Sequence, residues 1–168
     1  METLFSKLIG LFSRYEIITN LIPGALLVFL LHKVDLLNWS DNIYLNIATC
    51  YFVGMINNRF SSLCIEEPMR HFKLIKWRGY DEYNKAKQER PFIASLQESA
   101  NQFRAMAAVF ILTVFALIYK YVATCCSFVN EYGWIFVVLL LIVLFVASYR
   151  KQINDYVVKN IDEVTERV

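Results

Sequence analysis

Residues 69–91, MRHFKLIKWRGYDEYNKAKQERP, set Arg70, Lys73, Lys76 and Arg78 among Phe72, Trp77 and Tyr80. Cations interleaved with aromatic rings can do two kinds of chemistry. They hold anionic lipid at a bilayer surface, at about 1 kcal/mol per basic residue. They also grip nucleotides or single strands through phosphate contacts and stacking. A protein partner is the third occupant such a surface accepts, so Arg70, Lys73, Lys76, Trp77, Arg78 and Tyr80 form the first candidate docking site.

Other reactive residues are scattered. His32 and His71 are the only histidines and stand apart, so neighbouring positions assemble no Ser/His/Asp or Cys/His set. There is no P-loop, no G-x-G-x-x-G and no H-E-x-x-H. Glu66–Glu67 and Asp81–Glu82 are adjacent carboxylates, which do not share a helix face and read as solvated charge. Cys50, Cys64, Cys125 and Cys126 follow neither zinc-site nor secreted-disulfide spacing and read as apolar filler. No catalytic residue, metal site or cofactor is expected, and an enzyme is disfavoured.

Composition explains what must position the basic stretch. Hydrophobic residues make up 57% of the 168 and charged residues 19%, with a mean hydropathy of +0.41. Soluble domains have roughly 45–50% and about 25%. Uncharged runs occupy 134–147 and 105–119; a third lies at 17–31, and a weaker fourth at 42–56 is diluted by Asn46 and Thr49. A spanning helix needs about 20 largely apolar residues. The expectation is an all-α membrane protein, one domain over 1–168, with four transmembrane helices at about 17–36, 42–60, 104–126 and 133–150. An amphipathic interfacial helix covers 1–16, a helical cytosolic loop 60–103, and a cytosolic helical tail 151–168. The first run lacks a basic n-region and an A-x-A-like site, so it reads as retained rather than cleaved. In this topology fifteen of the seventeen Lys and Arg residues fall on one side. The positive-inside rule makes that side cytosolic, with both termini there, and the expected location is the cell inner membrane.

The cytosolic parts carry helical patterns. Pro23–Gly24 predicts a kink in the first run. After Pro91 one helix is expected to run unbroken into the third. Along it Ala94, Glu98, Asn101, Ala105 and Ala108 recur at spacings of 4, 3, 4 and 3. Such a stripe permits close helix approach, either within the chain or as a seam between subunits. Ile153, Val157, Ile161, Val164 and Val168 form a second apolar stripe in the tail. Thr19, Asn20, Asn57, Asn58, Arg59, Glu98, Asn101 and Arg104 all fall near one membrane boundary. They read either as an interfacial belt or as a polar ring at the inner mouth of an oligomeric pore.

The whole-chain plan, with LIPGALLVFLL in the first run and ESANQFRA leading into the third, resembles small membrane effectors of bacterial anti-phage defence systems. It is similar in kind to the channel subunit of Hailong systems and the membrane subunit of Kiwa systems. The resemblance implies a homo-oligomer, a tetramer, whose pore or membrane disturbance is controlled from the cytosol by a nucleotide or nucleic-acid signal or by a partner protein. The expected function is therefore a gated channel or membrane-disrupting effector. The alternative is a membrane sensor or scaffold that recruits a cytosolic partner.

Overall fold

The computed structural model of the chain describes residues 16–76 and 80–154, with the backbone alone at 80 and 81. The expected interfacial helix 1–16 falls almost wholly outside the described residues, as do Trp77, Arg78 and nearly all of the tail stripe. Every described element is helical. In chain order they are α1 (Ile22–Lys33), α2 (Ile43–Phe60), α3 (Glu67–His71), α4 (Tyr80–Glu89), α5 (Phe92–Cys125) and α6 (Ser127–Gln152). Two π-helical stretches, Ile17–Leu21 and Ser61–Glu66, lead into α1 and join α2 to α3. Each ends two residues before a proline, Pro23 or Pro68. A proline ring collides with the carbonyl four residues back and offers no N–H. Widening the preceding turn relieves that collision without breaking the helix.

The expectation of four spans is corrected by these elements. Among the described residues, α5 and α6 are the two helices long and apolar enough to cross a membrane. The first run forms a helix only from Ile17 to Lys33, and its α-helical part is 12 residues long. It stops because Asp35 turns left-handed at φ 55, with Asp35 N–H donating to the His32 carbonyl and Leu36 N–H to Leu31. This pair of bonds is a Schellman cap. The second run gives α2, whose 18 residues include Asn46, Asn57, Asn58 and Arg59, too polar a set for a span. Its start is fixed by Asn42, whose side chain accepts from the N–H groups of Tyr44 and Leu45.

The two long helices carry the membrane signal. On α6 seven consecutive residues, Trp134 to Leu140, are all exposed, from 38% at Ile135 to 69% at Leu140. Seven consecutive residues turn through almost two full turns, so this helix shows apolar side chains on every bearing. On α5 Phe110, Val114, Phe115 and Ile118 are likewise exposed. Apolar surface of this extent requires a non-aqueous surrounding, and it marks the chain as membrane-inserted.

The chain divides into two compact units, one ending at Tyr121 and one beginning at Val122. In the first unit α1 and α2 pack through glycine. A Cβ on Gly24 would overlap the Cys50 carbonyl oxygen and lie 2.7 Å from Gly54 N; one on Gly54 would overlap the Asn20 carbonyl oxygen. The backbones therefore touch. Leu27, Val28, Cys50, Ala105, Ala108 and Val109 form the buried apolar core. The contact Phe60–Phe115, edge-on at 6.2 Å, joins α2 to α5.

Gly54→Ala should cost about 3 kcal/mol or more, because the backbones would have to separate. Asp35→Gly should change stability by less than about 1 kcal/mol, since glycine accepts the left-handed cap freely but removes the carboxylate that meets Lys120. Unfolding titrations in mild detergent check both; equal midpoints for Gly54→Ala and the parent would contradict the backbone contact.

Candidate functional site

The close approach of α1 and α2 sets which side chains meet beside it. One turn before Gly24 lie Thr19 and Asn20, both buried; one turn after Gly54 lie Asn57 and Asn58. The Asn58 amide donates to Asn20 Oδ1 at 3.1 Å. Ser61 Oγ donates back to the Asn58 carbonyl at 2.7 Å. Asn57, wholly buried, turns the other way and donates through Nδ2 to the Ala105 carbonyl on α5 at 3.0 Å. That contact is possible because Ala105 and Ala108 are small and are themselves buried.

An ion pair lies at the same level. Arg104 on α5 pairs with Glu66 at the end of the second π stretch, their side chains 20% and 12% exposed. Desolvating two charges offsets much of the attraction, but removing one partner alone would strand the other. Asn57 Oδ1 is buried without a hydrogen-bond partner, a cost of about 1–3 kcal/mol. The junction thus gathers three amides, two hydroxyls and a charge pair where two π-helical stretches flank the α1–α2 contact, with Asn57 and Glu66 reaching α5. π-Helical turns recur at functional sites because they leave the helix able to change register.

At the far end of α1 a second tie reaches α5. Lys120 Nζ donates to the Val34 carbonyl at 2.7 Å and to Asp35 Oδ2 at 3.1 Å. It thereby satisfies the end of α1 and neutralises the aspartate of the Schellman turn. In the adjoining loop His32 Nδ1 lies 3.0 Å from the Leu37 carbonyl and so donates to it, while its ring meets Trp39 edge-on. Histidine here stays within local packing.

The residues singled out from the sequence separate into groups. Asn57, Asn58, Arg104, Ala105 and Ala108 come together with Thr19 and Asn20. Glu98 is exposed on α5 and Asn101 is half-buried one turn before Arg104. Of the basic stretch, Arg70, Lys73 and Lys76 are exposed, Trp77 and Arg78 lie outside the described residues, and Tyr80 begins α4. Arg70 pairs with Glu67 at 2.9 Å, so the Glu66–Glu67 pair, expected to be solvated, is divided between two arginines. The Gly24–Gly54 contact, Ser61, Glu66 and the Lys120–Asp35 tie were not anticipated. Spacing could have found Glu67–Arg70 and Ser61–Asn58, each three residues apart on one helical path. The others join positions dozens of residues apart.

These groups can exchange hydrogen bonds and hold charge; among the described residues no three His, Cys, Asp or Glu side chains gather as a metal site. Cys50 sits against Gly24, and burial pushes its thiol up, partly offset by a backbone hydrogen bond. Because the thiolate is the reactive form, Cys50 should alkylate slowly at neutral pH and gain rate only well into the alkaline range. Exposed Cys125 and Cys126 should label first, as mass spectrometry of maleimide-treated protein will show. Equal rates would contradict the buried α1–α2 contact.

Asn58→Ala should destabilise by about 1–3 kcal/mol, because it leaves Asn20 Oδ1 buried and unpaired. Asn57→Ala should cost less, since it removes one bond and one unmet acceptor together. Denaturation midpoints compare the two, and a larger loss for Asn57→Ala would invert the assignment. No family model, curated protein or solved structure matches this chain.

Proposed function

We propose that the chain is a subunit of an oligomeric membrane effector, a gated pore or membrane-disrupting assembly controlled from the cytosol. The exposure of Trp134–Leu140, about two turns of α6, carries this reading. A pore in this reading is built from several copies, and the uncommitted apolar faces supply surface for both lipid and neighbours. In this reading α5 and α6 cross in succession. Setting aside Lys120 and Lys33, which sits at the helix end that Lys120 holds, every Lys and Arg then precedes the uncharged stretch of α5 or comes after that of α6. The positive-inside rule puts those segments in the cytosol, and the proposed location is a bacterial inner membrane.

The polar junction is the proposed gate. It lies where the cytosolic part joins α5, and a register change in either π stretch would alter its bonds. The setting is anti-phage defence, as for the effectors the chain resembles. The signal is a nucleotide, a nucleic acid or a partner protein, and the chain itself acts without cofactor or catalysis. The second reading, a membrane sensor that recruits a cytosolic protein, is favoured by exposed Phe72 and Leu74 among cations.

Native mass spectrometry in detergent should show multiples of the 19.7 kDa chain, with a tetramer expected. Reconstituted vesicles should release a small trapped dye. Arg104→Gln, which leaves Glu66 unpaired, should change the release rate by tenfold or more for a coupling of about 1.4 kcal/mol. A monomer that leaves vesicles sealed would overturn the effector reading in favour of the sensor.

A further inference from the structure

We infer that residues 69–76 form a docking surface for the phosphodiester headgroups of anionic lipid, with Phe72 and Leu74 seated at the acyl boundary. The inference rests on the membrane placement of α5 in the proposed function, and it holds whether or not the assembly conducts.

Depth is the first support. Arg104 immediately precedes the uncharged stretch that begins at Ala105, so it marks the membrane boundary of α5. Its partner Glu66 is held within one arginine side chain's reach of that boundary by the ion pair. From Glu66 to Arg70 the helix rises about 6 Å, comparable with the roughly 5–8 Å thickness of one headgroup layer. Met69 to Leu74 therefore stay within reach of that layer whichever way α3 leans, since the turn bonds Leu74 N–H back to the Met69 carbonyl.

Shape is the second. α3 ends in a Schellman turn, with Lys73 N–H donating to the Arg70 carbonyl and Leu74 N–H to Met69. Lys73 holds the left-handed conformation at φ 55, which lysine rarely adopts. The turn leaves Phe72 and Leu74, on either side of it, each 70% exposed. Large apolar side chains placed beside a membrane boundary by a strained turn are covered best by lipid.

Charge is the third. Glu66 is matched by Arg104 and Glu67 by Arg70, and no acidic residue occurs from Pro68 to Lys76. Lys73 and Lys76 remain as the local excess, both exposed. Cations alternating with apolar side chains match a surface of phosphates over hydrocarbon. A nucleotide offers the phosphate without the hydrocarbon.

The test uses full-length protein with its four cysteines replaced by alanine and a nitroxide attached through Leu74→Cys, or through Val143→Cys as the membrane control. In vesicles of equimolar phosphatidylcholine and phosphatidylglycerol, the position 74 label should be accessible to oxygen and shielded from a water-soluble nickel chelate. In pure phosphatidylcholine it should become nickel-accessible. Lys73→Gln with Lys76→Gln should shift the docked-to-undocked ratio by roughly 30-fold in the anionic vesicles. A label at 74 that stays in water in both lipids, while the one at 143 is in hydrocarbon, overturns the docking surface alone. If position 143 is also in water, the membrane reading falls with it. Shielding of position 74 by an added oligonucleotide, with no dependence on phosphatidylglycerol, assigns the surface to a soluble polyanion instead.

Discussion

The backbone contact between Gly24 and Gly54 is the constraint on which the rest of the first unit depends. No side chain separates α1 from α2 there, so residues one turn away are forced together whatever their chemistry. Amides and hydroxyls are the groups that tolerate this. Asn20 and Asn58 satisfy one another, Asn57 is left to face α5, and the carbonyl of small Ala105 receives it. A bulky residue at 105 or 108 would keep α5 out of reach, and Glu66 would then have no Arg104 beside it.

The same contact accounts for the division between helices that meet lipid and helices that do not qualify to cross it. α1 and α2 direct their polar residues toward each other and toward α5, and are shortened by the Asp35 cap and the Asn42 cap. α5 and α6 have no comparable polar residues along their uncharged stretches and bury little of them. Lys120 is the exception on α5, and it is occupied by the end of α1. The two ties from α5, at Ala105 and at Lys120, are 15 residues apart, about 22 Å along a helix. From Asn20, which bonds Asn58 beside the first tie, to Asp35 at the second is the same number of residues, so the segment containing α1 matches that stretch of α5 in length.

Much of the helical content was legible in the sequence, because uncharged runs at 105–119 and 134–147 and the absence of any breaker after Pro91 leave few alternatives to α5 and α6. The number of spans was not. Hydropathy summed over 17–31 cannot register that Asp35 closes the helix, since the left-handed tendency of aspartate is conformational and adds nothing to a hydropathy sum. The second run reaches span length only by including Asn57, Asn58 and Arg59, which lie in the helix and leave it too polar to cross. The cluster of Asn57, Asn58, Arg104, Ala105 and Ala108 was visible as residues near one depth, yet its bonding was not, because glycine contacts and the Glu66–Arg104 pair join segments distant in sequence. The two prolines were visible, and a kink was expected at Pro23. The widened turn in place of a sharp break depends on how the neighbouring helix accepts the freed groups, which is a tertiary property.

Pro68 then links the junction to the basic segment. By widening the turn at Ser61–Glu66 it sets the bearing of Glu66 toward Arg104, and it also begins the short helix that ends at Lys73. Any force that pulls residues 69–76 toward or away from the bilayer acts on one continuous helical path, since no flexible linker separates His71 from Asn57. A π-helical turn differs from an α-helical one by a single residue of register, and losing it rotates the helix on its C-terminal side by about 100°. Such a rotation carries Glu66 off Arg104 while leaving the Gly24–Gly54 contact untouched. The rigid contact and the adjustable turn are thus adjacent, which is the arrangement a two-state element requires: one part that fixes the frame and another that can repair its bonds in a second register.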